Sequence, residues 1–175
     1  MSELLDIDLG AISYVCCNMR ESDALEIYGL RPHESSLVLA YEINSVLTNQ
    51  GRGRIAWHDG KPVAVIGFAE YWPGVWQVIL VGTDQFRHVA MDCIRWLRSN
   101  AADLLANHGG RRLQCDARGP SGFLAHLGAK PEVTMRKYGK DGSDYIRYVW
   151  LAGENDQVLG ARRLNADAEA TIGAT

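Results

Sequence analysis

Between positions 61 and 105 the apolar residues change their period twice. Residues 62–68 alternate loosely, and β-branched Val63, Val65 and Ile66 favour an extended chain. Tyr71-Trp72-Pro73-Gly74 then carries turn chemistry, since Pro presets φ and Gly accepts a positive one. Residues 75–81, VWQVILV, are almost wholly apolar, the pattern of a strand covered on both faces. After Gly82-Thr83-Asp84 the spacing becomes helical, with Ala90, Ile94, Leu97, Ala101 and Leu104-Leu105 on one stripe. Asp84 stands where an N-cap carboxylate would take the free amides of that helix. The unit reads as a hairpin feeding a helix that packs back on it.

The same reading extends to both sides. Residues 1–10 form a lead-in, and residues 11–19, AISYVCCNM, read as a short first strand. Ser22 is the candidate cap of a short helix that ends at Gly29, where glycine suits a left-handed turn. Leu39, Ile43, Val46 and Leu47 mark a second helix over 36–47. A strand at 54–57 leads into the hairpin signal Asp59-Gly60. Beyond Gly109-Gly110, a strand at 112–117, a short helix after Ser121 and strands at 133–138 and 145–151 complete the pattern. The order β, α, α, β, β, β, α, β, α, β, β predicts one α/β domain over 11–152. Its mixed central sheet carries helices on both faces. From 153 to 175 the chain turns polar and alanine-rich, an extended C-terminal tail whose Leu159, Leu164 and Ile172 are too few to form a core.

Composition removes several possibilities. A net charge of −3 gives no electrostatic reason to bind nucleic acid or an anionic membrane. No apolar run approaches the roughly 20 residues that cross a bilayer, so no membrane insertion is expected. The N-terminus lacks the basic and long apolar regions of a signal peptide. Cys16, Cys17, Cys93 and Cys115 lack metal-ligand spacing, and no metal is expected; they read as reduced thiols, the first two on opposite sides of a strand.

The blocks NMRESDALEI, PVAVIGFAEYWPGVW, VGTDQF, HLGAK and YGKDGSDYIRYVW, together with the element order, resemble the GNAT acyltransferase fold. More narrowly they are similar to a phage-encoded GNAT-like family of short-tailed phages, labelled internal virion protein A or acyltransferase. The resemblance implies a phage particle, or host cytoplasm during assembly, as the setting. It also implies other phage structural proteins as partners.

GNAT enzymes that use acetyl-CoA present an R/Q-x-x-G-x-G/A loop after the fourth strand, whose amides hold the pyrophosphate. The matching stretch here, Gly82, Thr83, Asp84, Gln85, Phe86, Arg87 and His88, has a single glycine at the strand end. Asp84 would compete for those amides and Phe86 adds bulk. Many GNAT enzymes place a Tyr four residues ahead of the glycine before strand six, as the acid for the departing thiolate. Here that position is Leu124, beside Phe123. By the same analogy Glu70 is the carboxylate placed to act as base. Trp72, at the hairpin tip, suits a partner-binding anchor, as do Leu159, Leu164 and Ile172 of the tail. These departures from the pattern favour a virion structural or assembly protein on a GNAT-like scaffold, without acetyltransferase activity or cofactor. The alternative is an active acetyl-CoA-dependent N-acyltransferase with a non-standard cofactor loop.

Overall fold

The centre of the sheet is buried on both sides because two groups of helices compete for it. A computed structural model describes residues 2–154. In chain order the elements are β1 (Ser2–Leu5), α1 (Leu9–Cys17), α2 (Glu21–Tyr28), α3 (Ser36–Gln50), β2 (Gly51–His58), β3 (Lys61–Trp72) and β4 (Val75–Gly82). A 3-10 turn (Phe86–His88), α4 (Ala90–Asn107), β5 (Arg112–Ala117), α5 (Gly122–His126), β6 (Lys130–Met135) and β7 (Tyr145–Leu151) follow. The strands form one seven-stranded sheet in the order β1-β2-β3-β4-β5-β7-β6. All neighbours are antiparallel except β4 and β5, which the α4 crossover makes parallel.

β3 shows how the core is divided. Its Val65 packs with Ile12, Val15, Leu39 and Ile43 of α1 and α3, while Ala64, Ile66 and Phe68 pack with Ile94, Leu97 and Leu104 of α4. Paired Gly53 and Gly67 let α3 come close: a Cβ on Gly53 would lie 2.8 Å from Leu47 Cδ1. Trp150 belongs to the α4-side core, with Trp76 and Trp96 packed against it, and Trp57 packs against the opposite core.

Several expectations need correcting. Residues 11–19 are not a strand, because Asp8 caps a helix there by accepting the Ala11 N–H at 2.8 Å. Ala11, Ile12, Val15 and Cys16 face the core at helical spacing, and Cys17 is exposed. The first strand is the four-residue edge Ser2–Leu5, inside the predicted lead-in. Ser22 does not cap α2, whose N-cap is Arg20 without a side-chain bond. Gly29 ends α2 in right-handed geometry (φ −58°, ψ −24°), so a left-handed turn is not its purpose. Asp84 caps nothing. It is exposed, and α4 begins six residues later at Ala90, with Val89 as an N-cap that makes no side-chain bond. β6 starts at Lys130, three residues before its predicted beginning. Among the described residues no helix is long and apolar enough to cross a membrane.

Candidate functional site

β4 and β5 begin as partners and then separate. Only Val75↔Arg112, Trp76↔Leu113 and Gln77↔Gln114 are paired; from Val78 and Cys115 onward the strands are no longer bonded to each other. On its other side β4 stays paired with β3 up to Gly82. The parting opens a cleft of about 930 Å³, floored by Val78, Ile79, Leu80 and Val81 of β4 and by Cys115, Asp116 and Ala117 of β5. The β4 edge facing this gap offers backbone polar groups without a strand partner.

One wall is made by Ile27 of α2, Leu30 of the turn after it, and Ile43 and Val46 of α3, and another by Phe86, Phe123 and Leu124. α5, which carries Leu124, is started by Ser121, whose hydroxyl accepts the Leu124 N–H at 3.2 Å. Charged residues bind the walls to the strand ends. Asp23 accepts the Gly82 N–H at 2.8 Å and Arg20 Nε at 2.6 Å, and the Arg20 guanidinium lies 4.5 Å from the Phe86 ring centroid. Arg147 forks onto Asp116 from β7 at 2.7 and 2.8 Å, which holds its own pKa above the usual guanidinium value.

Glu26, on α2, is the carboxylate that the sequence reading missed. It lines the cleft and accepts the Arg118 N–H at 2.9 Å, at the end of β5. Burial pushes its carboxyl above the ordinary glutamate range; Asp23 and Asp116 push the same way, while the Arg118 amide and Arg20 pull against them. Burial also raises the thiol of Cys115, with Glu26 and Asp116 adding to it, and raises the phenol of Tyr71 at the cleft rim. No periodicity could have identified Glu26, since its partner lies 92 residues away.

The predicted site residues fall in different places. Glu70 does not line the cleft: its Oε1 accepts the Gly74 N–H at 2.8 Å and braces the hairpin turn. Trp72 is exposed at that turn, and Leu159, Leu164 and Ile172 lie outside the described residues. Of the predicted loop, Phe86 lines the cleft, Asp84, Gln85, Arg87 and His88 are exposed, and Gly82 and Thr83 are buried. Several loop amides are already used: Thr83 N bonds Val63 O at 2.9 Å, Phe86 N bonds Thr83 O at 2.9 Å, and His88 N bonds Gln85 O at 3.0 Å.

Further along, Gln85-Phe86-Arg87-His88-Val89-Ala90 meets two of the three fixed positions of the R/Q-x-x-G-x-G/A pattern. The first and last positions agree, and His88 replaces the first glycine. Its final small residue, Ala90, opens α4, where no side chain caps the helix. Helix-start amides there face no competing carboxylate from Asp84. The parted strands leave room for an extended chain, and the start of α4, with Asp92 in its first turn, follows the cleft-lining Phe86 by four residues. Among the described residues no group of three or more His, Cys, Asp or Glu side chains could hold a metal ion.

No protein-family model matches the sequence, and no curated protein does. Solved structures do match the fold. Ard1 from Thermoplasma volcanium is 10% identical and superposes with a TM-score of 0.65 over 86% of this chain and 97% of its own. A GNAT-family acetyltransferase from Bacillus anthracis is 12% identical, with a TM-score of 0.63 over 87% of this chain and 96% of its own. RimL, a ribosomal L7/L12 alpha-N-protein acetyltransferase in complex with coenzyme A, is 10% identical, with a TM-score of 0.63 over 86% of this chain and 93% of its own. The chain thus has the GNAT-like α/β fold. The expected virion structural protein without enzymatic activity is overturned: RimL and the Bacillus anthracis protein, which share the fold over 86% and 87% of this chain, are acetyltransferases. The carboxylate invoked to block the cofactor, Asp84, does not cap α4.

Proposed function

We propose that the chain is an acetyl-CoA-dependent N-acyltransferase that works in the cleft between β4 and β5. The observation that carries this reading is the parting of the two parallel strands after Gln77 and Gln114. It leaves a single strand edge flanked by apolar walls, the shape that accepts a long, thin, partly polar chain. When bound, the cofactor supplies an activated acyl thioester.

The protein's part is positioning and proton handling. The free edge of β4 holds the arm, while Ala90 and the next amides of α4, with Arg87 nearby, meet the phosphates. The apolar walls lower the local dielectric beside the reacting centre, which strengthens charge interactions within it. Leu124 has no proton to give, so α5 would supply no acid to a departing thiolate.

Isothermal titration with acetyl-CoA and with CoA, followed by a thiol-release assay on primary amines, tests the reading. Micromolar binding and turnover are expected. No heat of binding at millimolar cofactor would overturn it.

A further inference from the structure

The cleft's charges are matched with one exception. Of the carboxylates lining it, Asp23 is paired with Arg20 at 2.6 Å, Glu42 with Arg31 at 3.1 Å, and Asp116 with Arg147 at 2.7 Å. Arg118, the remaining arginine of the lining, is paired with Asp141 at 2.8 Å. Glu26 forms no ion pair among the described residues. One of its oxygens takes the Arg118 N–H, and the other is open to the cleft. The same lining includes the apolar side chains of Ile27, Leu30 and Val46 and the rings of Tyr71 and Tyr138, whose residues are exposed.

We propose that Glu26 is the acceptor-side catalytic base and that the acceptor is a small primary monoamine with an apolar or aromatic body. This rests on the acyl-transfer reading above. A polyamine would need further open carboxylates, and those in the lining are already matched. An anionic acceptor would meet Glu26 as a like charge.

In the step itself the ammonium passes one proton to the open oxygen of Glu26 and regains a lone pair. That pair forms the N–C bond to the acyl carbon while the C–S bond breaks and its electrons leave on sulfur. Water carries the nitrogen's surplus proton to sulfur, and Glu26 returns its own to solvent. The groups that face Glu26 are Asp23 and Arg20 at the start of its own helix, Cys115 and Asp116 on β5, Arg118 and the Tyr145 ring. Their sum with burial raises its proton affinity, which brings a carboxylate nearer to the working range of a base.

The test compares the parent with E26Q and E26D, using 2-phenylethylamine and spermidine as acceptors and CoA as the titrated ligand. E26Q is expected to bind CoA as the parent does, yet to lose about 10²- to 10⁴-fold in kcat toward 2-phenylethylamine. The acidic limb of its pH–rate profile should vanish, and E26D should regain part of the rate. The parent should favour 2-phenylethylamine over spermidine in kcat/KM. A folded E26Q that keeps its rate and profile overturns the assignment of the base, and a preference for spermidine overturns the acceptor class. A parent that fails to bind CoA overturns the reading beneath both.

Discussion

Gly29 should not tolerate a methyl group, although its backbone would. Its right-handed φ and ψ suit alanine, and reducing unfolded-state freedom would by itself stabilise by about 0.4–1 kcal/mol. A Cβ there, however, would lie well inside contact distance of the Tyr145 hydroxyl, 2.8 Å from Leu25 O and 3.3 Å from Tyr145 Cζ. Tyr145 is fully buried, so its ring has nowhere to swing. Its hydroxyl also donates to Glu26 O at 2.8 Å. Overpacking costs about 1–3 kcal/mol, and stranding the buried hydroxyl about 1–3 kcal/mol more. Gly29→Ala is therefore expected to lose about 3 kcal/mol net, a fall in Tm of roughly 6–12 °C for a domain of this size. Urea unfolding followed by circular dichroism measures it. Tyr145→Phe alone should cost about 1 kcal/mol, and because it removes the colliding oxygen the double variant should lose at least ~1 kcal/mol less than the sum. A Gly29→Ala protein as stable as the parent, or strictly additive losses, would refute the argument.

Three further outcomes follow from the same geometry. Because the Glu26 carboxyl is raised by burial, its protonated form favours the fold; that contribution is complete below about pH 4 and fades as pH rises through the raised value. Glu26→Gln should therefore raise Tm at mildly alkaline pH and leave it unchanged in acid, as scanning calorimetry would show; an equal shift at both would contradict it. Burial pushes the Cys16 and Cys93 thiols up to about 12 and raises Cys115 as well, so exposed Cys17 should be the one fast-reacting thiol of the native protein with a chromogenic disulfide. Glu70→Ala should cost about 1 kcal/mol, by freeing the Gly74 N–H, while leaving kcat/KM intact; a hundredfold loss of activity would instead place Glu70 in the chemistry.

The parts legible in the sequence are those whose cause is local. The hairpin at Asp59-Gly60, the Pro73-Gly74 turn and the apolar run of β4 carry their own chemistry and appear where the pattern puts them. The segment over 11–19 misled because Ile12, Tyr14 and Val15 favour a strand individually, whereas the Asp8 cap and the buried positions at helical spacing decide for α1. Asp84 looked like a cap because it follows the strand directly; instead the Thr83 carbonyl and hydroxyl organise a tight turn that delays the helix. The site was least legible. A parting of two strands is set by how far their register runs, and the matching of Asp116 by Arg147 appears only once β5 and β7 pair, which leaves Glu26 without a cation of its own among the described residues.

The seam between β4 and β5 also divides the molecule mechanically. Paired backbone crosses it over three residues, extended by the Gly74 carbonyl, which takes the N–H groups of Arg111 and Arg112 at 2.8 and 3.1 Å. A nick in the α4–β5 connection would yield two fragments, one keeping four strands and the other three. Their recombination would depend on side-chain packing more than on hydrogen-bonded rungs. A molecule wedged in the fork would serve as a splint, and the tightness with which it binds and the tightness with which the fragments reassemble would be linked quantities.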